Sequence, residues 1–73
     1  MTPATAKRMA SEAGLEFWYD RNERHWVIQD RDLMIDATYV APGPLRNLTA
    51  DQFADRYLAP QREALAKLKE DDQ

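Results

Sequence analysis

Hydrophobic and polar residues alternate through the stretch from Leu15 to Val40, which also holds five of the seven aromatic residues of the chain. A period of two residues is typical of strands with one buried face, and aromatic residues fit such a surface well. The alternation predicts three strands, which cover residues 15–20, 25–29 and 33–40. The segments between them are too short for a crossover connection, so we expect neighbouring strands to be antiparallel and the sheet to be a meander.

The two faces of this predicted sheet differ in polarity, as is usual for an antiparallel sheet with one side against a core. The second face is mostly polar but also carries Trp18, Val27, Met34 and Val40. The predicted core face consists of Leu15, Phe17, Tyr19, Trp26, Ile28, Leu33, Ile35, Ala37 and Tyr39.

A short helix is predicted before the sheet, over residues 3–13. Thr2 is a suitable N-cap, Pro3 is tolerated in the first turn, and Gly14 can adopt the left-handed conformation that ends a helix. The apolar stripe of this helix is mostly alanine, so the sequence predicts that it buries little surface and depends on the sheet for its stability.

A second helix is predicted after the Pro- and Gly-rich loop 41–47. Thr49 and Gln52 match the capping-box pattern, and Leu48 and Phe53 are placed to form a hydrophobic staple.

Pro60 interrupts this helix, so we expect either a kink or two separate helices. Residues 69–73 form an acidic end that we expect to fray. The apolar stripe predicted to cover the sheet contains Phe53, Tyr57, Ala64, Leu65 and Leu68.

Together these elements predict one small α+β domain over residues 1–73: a helix, a three-stranded meander, and a long or proline-broken helix packed on one sheet face. A chain of this size buries only about 60% of its unfolded surface. There is no cysteine, so disulfides cannot add stability. No apolar run resembles a targeting or membrane-spanning segment, and we therefore expect a cytoplasmic protein with no membrane partner.

Catalysis and cofactor binding are not expected from these residues. Ser11 and His25 are the only serine and the only histidine, and they do not suggest a nucleophile with an activating base. Asp30, Asp32 and Asp36 lack the central glycine and the terminal glutamate of a calcium loop. The sequence therefore predicts no enzyme, no metal site and no cofactor, and His25 is interpreted as an exposed strand residue.

The charge of the chain argues against a general nucleic-acid-binding protein. The net charge is −3, with 13 acidic and 10 basic residues. Arg21, Arg24 and Arg31 lie near Trp18 in the predicted hairpins, and aromatic and arginine side chains together can stack single-stranded bases. Acidic residues are interleaved with these arginines, which is typical of a solvated, self-neutralising surface. A small nucleic-acid-binding accessory protein is therefore the alternative function.

Protein binding is the favoured function. Trp and Arg are the residues most enriched at interface hot spots, so Trp18 is the expected anchor, with Arg21, Arg24 and Arg31 around it and Met34 in the same semi-apolar strip. Two other interpretations remain open. The N-terminal helix can fold over Trp18 and make a second small core, or the strip can be the seam of a homodimer.

The acidic last helix is a second candidate surface for binding a protein, with Asp51 and Asp55 as its leading residues. Carboxylates on a small protein can occupy a basic channel where phosphates would otherwise bind. Small acidic inhibitors from phages and plasmids provide a class-level analogy for a regulator of a larger protein or nucleoprotein complex. The alternative is an ordinary solvated helix face.

Overall fold

The chain begins with a helix, α1 (Pro3–Glu12), that is capped as the sequence predicts. In the computed structural model, which describes residues 1–71, the Thr2 hydroxyl accepts a hydrogen bond from the backbone N–H of Thr5 at 3.2 Å. Gly14 follows the helix with a φ of +80°, so it supplies the left-handed stop. None of the helices within residues 1–71 is long and apolar enough to span a membrane.

The predicted antiparallel meander is present, with strand order β1-β2-β3. β1 (Leu15–Asp20) and β2 (His25–Asp30) pair over their full length, with Phe17 opposite Ile28 and Trp18 opposite Val27. The turn between them depends on Asp20, whose carboxylate accepts hydrogen bonds from two N–H groups of the turn. The left-handed residue of this turn is Arg24, with a φ of 58°.

The third strand is shorter than predicted, because β3 contains only Thr38–Val40. The predicted start at Leu33 is wrong. The buried carboxylate of Asp30 accepts hydrogen bonds from the N–H groups of Met34 and Ile35, at 2.8 and 3.1 Å. These bonds, together with a φ of 54° at Leu33, fold residues 31–37 into a loop instead of a strand.

The faces of β3 are also the reverse of the prediction. Val40 lies opposite Trp26 and is buried, whereas Tyr39 lies opposite Val27 and is 57% exposed. Leu33, predicted to be in the core, is 70% exposed. A shift of one residue moves every side chain of a strand to the other face, so the loop at 31–37 changes which residues of β3 contribute to the core.

A short helix, α2 (Pro42–Asn47), occupies the segment that was predicted to be a loop. The first N–H groups of a helix have no partner within the helix, so proline at these positions costs no hydrogen bond. Pro42 and Pro44 both lie in this first turn. Leu45 is 1% exposed and fixes α2 to the core.

The last helix, α3, is continuous but not uniform. It begins as α-helix over Ala50–Phe53, opens into a π-helical turn over Ala54–Leu58, and continues as α-helix over Ala59–Asp71. The capping box is confirmed, with hydrogen bonds in both directions between Thr49 and Gln52. Pro60 therefore does not divide the helix. Of the end predicted to fray, 69–71 are helical and 72–73 lie outside the described residues.

The π-helical turn explains how α3 tolerates Pro60. A proline ring collides with the carbonyl group four residues earlier in a regular α-helix. A wider turn immediately before the proline relieves this collision and adds one residue to the turn. As a result Leu58 and Gln61, rather than Tyr57 and Ala64, are the residues of α3 buried next after Phe53.

One core joins the sheet to the helices. α1 contributes Ala6 and Ala10, both fully buried, and α3 contributes Phe53 and Leu58. The helices cover a single face of the sheet, and the opposite face is open. The core cluster contains Ala6, Ala10, Leu15, Phe17, Ile28, Val40, Leu45, Leu48, Phe53 and Leu58.

Candidate functional site

Aromatic side chains form a row across the open face of the sheet. Trp18 on β1, Val27 on β2 and Tyr39 on β3 are aligned by the strand pairing. Trp18 is 42% exposed and Tyr39 is 57% exposed, whereas Val27 between them is only 3% exposed. Side chains directly opposite on neighbouring strands are close enough to contact each other, so the two rings flank Val27. We call Trp18, Val27, Tyr39 and the adjoining His25 the aromatic row.

His25 extends the aromatic row towards the β1–β2 turn. Its ring lies 4.5 Å from the Tyr39 ring, centroid to centroid, with an angle of 52° between the planes. Its Nε2 atom is buried and has no hydrogen-bond partner among the described residues. Packing between the two rings restricts Tyr39, so the exposed phenol is held against the sheet surface rather than free in solvent.

The turn at this end carries two of the predicted site residues, Arg21 and Arg24. The Asp20 carboxylate accepts hydrogen bonds from the N–H groups of Asn22 and Glu23, and the Asp20 carbonyl accepts one from the N–H group of Arg24 at 2.8 Å. These bonds fix the backbone from which both arginines project. The turn therefore places two guanidinium-bearing residues at the end of the aromatic row.

The other end of the open face carries an ion pair and an amide contact. Arg31 Nε lies 3.5 Å from Glu16 Oε1, and both side chains are mostly exposed. The Gln29 side chain donates a hydrogen bond to the carbonyl of Ile35 at 2.8 Å. An exposed pair of this kind contributes at most about 1 kcal/mol, so it orients Arg31 more than it stabilises the fold.

Asp30 anchors the loop that carries Met34. Burial alone would raise the pKa of Asp30, but hydrogen bonds from the N–H groups of Met34, Ile35, Asp32 and its own residue hold that pKa below its ordinary value. The carboxylate therefore stays ionised at neutral pH and fixes the loop. Met34 is 55% exposed on this loop, not on a strand.

The structure brings some of the predicted site residues together and separates others. Trp18, Arg21 and Arg24 lie at one end of the open face, and Arg31 lies at the other. Met34 lies on the 31–37 loop beside the end of α3, where it lines a groove with Leu68. Asp51 and Asp55 lie on α3 and line a groove against α1. The candidate residues thus belong to three surfaces: the open face of the sheet, the groove of Met34, and the groove between α1 and α3.

Sequence reasoning missed Tyr39, which was assigned to the core, and interpreted His25 without its aromatic neighbour. The signal that could have identified Tyr39 is its neighbour Val40. A β-branched aliphatic side chain is buried completely more often than tyrosine, whose hydroxyl needs a polar partner. Alternation counted back from Val40 places Tyr39 on the face of Trp18.

Within the described part of the chain, no three His, Asp or Glu side chains are grouped closely enough to hold a metal ion. The His25 ring contacts the ring of Tyr39, and its buried Nε2 atom has no hydrogen-bond partner within residues 1–71. The chain shows no significant similarity to any protein-family model, curated protein or solved structure with which it was compared.

Proposed function

We propose that this chain is a non-catalytic protein-interaction module that binds a larger protein or nucleoprotein complex through the aromatic row. Its small size and acidic balance suit an inhibitor or regulator that covers a surface of its target. In this proposal Trp18 is the anchor, Tyr39 is the second aromatic contact, and Arg21 and Arg24 make ion pairs at the rim.

The observation that carries the proposal is the exposure of two large aromatic side chains, one on each side of Val27, on a sheet face that no helix covers. Trp and Tyr supply much of the energy at protein interfaces, because each buries a large apolar area with little loss of side-chain entropy. Large apolar side chains exposed together on one face of a small domain are typical of a binding surface. Val27 adds an aliphatic floor between the rings.

The charges around the aromatic row favour a protein over a nucleic acid. Between residues 16 and 32 the chain has three arginines and five acidic residues. Arg31 is already paired with Glu16. A phosphate backbone requires a field of positive charge, whereas a protein surface can match alternating charges pair by pair.

A second candidate function, binding of single-stranded nucleic acid, is supported by one observation. Exposed rings on an open antiparallel sheet are the stacking platform that several RNA-binding and single-strand-binding folds use. Trp18 and Tyr39 have this arrangement. The acidic residues interleaved with the arginines of this region rank this candidate below protein binding.

The test is affinity capture from a lysate of cells in which the protein acts, with and without nuclease, using matched variants. Trp18→Ala and Tyr39→Thr remove the exposed rings. Leu33→Asn is the control, because it removes an exposed apolar side chain outside the aromatic row and suits the left-handed backbone there. A protein partner should survive nuclease, bind the control normally, and bind the Trp18 variant about 30-fold more weakly.

Three other results would contradict the proposal. Equal capture by wild type and by both aromatic variants would show that the aromatic row is not the binding surface. Loss of every partner after nuclease treatment would establish nucleic acid as the ligand. Sedimentation of wild type as a dimer, with Trp18→Ala sedimenting as a monomer, would show that the aromatic row is a homodimer seam.

A further inference from the structure

A groove with an apolar floor lies between α1 and α3, in the layer of helices on the far side of the core from the aromatic row. Its volume is about 650 Å³. Met9 of α1 and Ala13, which caps the end of α1, form one side of the floor, and Ala54 and Leu58 of α3 form the other. Leu58 is buried and the other three side chains are partly exposed. Small side chains at Ala13 and Ala54 leave this depression between the two helices.

The rim of this groove is acidic. Glu12 at the end of α1 and Asp51 and Asp55 at the start of α3 are exposed and line the groove, and Arg62 is the one basic residue that lines it with them. Within the described residues none of these three carboxylates takes part in an ion pair. The groove therefore has a local charge of −2 and carboxylates that are available to an incoming cation.

The π-helical turn shapes the α3 side of the groove. Ala54 and Leu58 are the first and last residues of that turn, and Asp55 lies within it. In a regular α-helix Leu58 would rotate away from the position it has here, and the floor would lose its largest α3 side chain. Single π-helical turns occur often at functional sites, because they reposition one side chain without ending the helix.

We propose that this groove binds a basic amphipathic helix of a partner protein. The apolar face of such a helix would contact the partly exposed Met9, Ala13 and Ala54, which lie around the buried Leu58. Lysine or arginine residues flanking that face would pair with Glu12, Asp51 and Asp55. Apolar contacts at i, i+3 and i+4 with charged flanks are the usual pattern of helix-in-groove recognition. The flexible side chain of Met9 adapts to the shape of the apolar residue it meets.

This second surface is independent of the aromatic row. The groove is built from α1 and α3, whereas the row lies on the open face of the sheet, and no residue belongs to both. A chain with two such surfaces can hold two segments of one partner, or two partners, at the same time. The proposal therefore does not depend on the function proposed for the aromatic row.

The experiment is an NMR titration of the full chain with a peptide of about 15 residues, which is long enough for appreciable helicity. The probe has leucine at helical i, i+3 and i+4 spacing and lysine at the other positions. A matched peptide with glutamate in place of lysine is the control for charge. We expect the lysine peptide to shift the backbone signals of Met9, Ala13 and Leu58, and the glutamate peptide to leave them unchanged.

Matched variants distinguish peptide binding at the groove from a general response of the peptide to the acidity of the chain. Glu12→Gln with Asp55→Asn removes two rim charges, and Glu63→Gln with Glu70→Gln removes two exposed charges of α3 that do not line the groove. The first pair should weaken binding of the lysine peptide about fivefold to tenfold, and the second less than twofold. Trp18→Ala should bind it as wild type does.

Two outcomes would overturn the proposal. The first is equal weakening by both variant pairs, which would mean that the peptide responds only to net charge. The second is the absence of signal shifts at the groove, whether the peptide fails to bind or shifts signals elsewhere. Far-UV circular dichroism of each variant checks that the fold is retained.

Discussion

Two buried polar side chains, Asp30 and Gln61, hold parts of this small domain that hydrophobic packing alone would not fix. Asp30 is 4% exposed and Gln61 is 3% exposed. Each makes hydrogen bonds to the backbone of another segment, and such bonds offset the cost of burial, although Gln61 Oε1 has no partner within residues 1–71. Neither role was visible in the sequence, because an aspartate after a strand and a glutamine after a proline are ordinary solvent-exposed choices.

Replacing Asp30 by asparagine tests its role in the 31–37 loop. The folded carboxylate has a pKa below its ordinary value of 3.8, so folding is favoured by its ionised form. The ionised carboxylate contributes fully to the free energy of unfolding above pH 3.8. This contribution is lost as the pH falls through 3.8 and then through the lower pKa of the folded state. We expect Asp30→Asn to lower the free energy of unfolding by about 2 kcal/mol at pH 7, measured in urea.

The pH profile of the same variant supplies the control. The stability difference between wild type and Asp30→Asn should shrink as the pH falls below about 4, because the wild-type carboxyl then becomes protonated. Asp32→Asn removes an exposed carboxylate two residues away and should change stability by less than about 0.5 kcal/mol. An equal loss in both variants would mean that Asp30 does not anchor the loop.

Gln61 links α3 to the sheet by hydrogen bonds. Its side-chain amide donates to the carbonyl of Ile28 and to the hydroxyl of Thr38, both at 2.8 Å. Gln61→Met keeps the length of the side chain but removes both donors, so it should destabilise the chain by about 1–3 kcal/mol. Lys67→Met, at an exposed position of the same helix, should be nearly neutral. Thermal unfolding followed by circular dichroism measures both, and similar melting temperatures would disprove this role.

At the scale of elements, local sequence signals gave the ends of the helices and the first hairpin correctly, but they did not give the connection from β2 to β3. Thr2, Gly14, Thr49 and Gln52 make short-range interactions, which sequence spacing specifies, and each does what its pattern indicates. β1 and β2 pair as expected because a tight turn fixes their register. The prediction for β3 was wrong because the start of this strand depends on Asp30. The Asp30 carboxylate binds backbone N–H groups that a longer strand would use for pairing.

The corrected register of β3 predicts opposite effects for two adjacent residues. Val40→Ala leaves a cavity in the core and should lower the free energy of unfolding by about 2 kcal/mol. Tyr39→Thr keeps a residue that favours strands on the open face and should cost less than about 1 kcal/mol. Chemical denaturation of both variants measures the difference. A larger loss of unfolding free energy from Tyr39→Thr than from Val40→Ala would instead support the register in which Tyr39 is buried.

At the scale of the whole molecule, sequence predicted the layers but not the surfaces. Composition and periodicity indicate one α+β domain, because they report which residues avoid water. A binding surface depends instead on which exposed residues become neighbours. The register of β3 places Tyr39 on the same sheet face as Trp18. The packing of α1 beside α3 places Glu12 in the same groove as Asp55. Neither relation is encoded by spacing along the chain.

The shared core predicts that the domain unfolds as one unit. Ala6 of α1, Ile28 of β2 and Phe53 of α3 are each fully buried in the same cluster. We expect the amides of α1 and β2 to exchange hydrogen with nearly the same free energy, equal to that of global unfolding. Native-state hydrogen exchange measures this directly. Exchange of α1 amides at a clearly lower free energy would show that the alanine-rich helix detaches on its own.

The two tryptophans of the chain lie on opposite faces of the sheet. Trp18 belongs to the open face, whereas the Trp26 ring stacks on Phe17 at 4.8 Å beside the core. Each indole therefore samples a different environment, and each can be made the sole fluorophore by replacing the other with phenylalanine. Emission from Trp18 would report a ligand arriving at the sheet, and emission from Trp26 would report loss of the core. The chain thus contains separate optical reporters of occupancy and of unfolding.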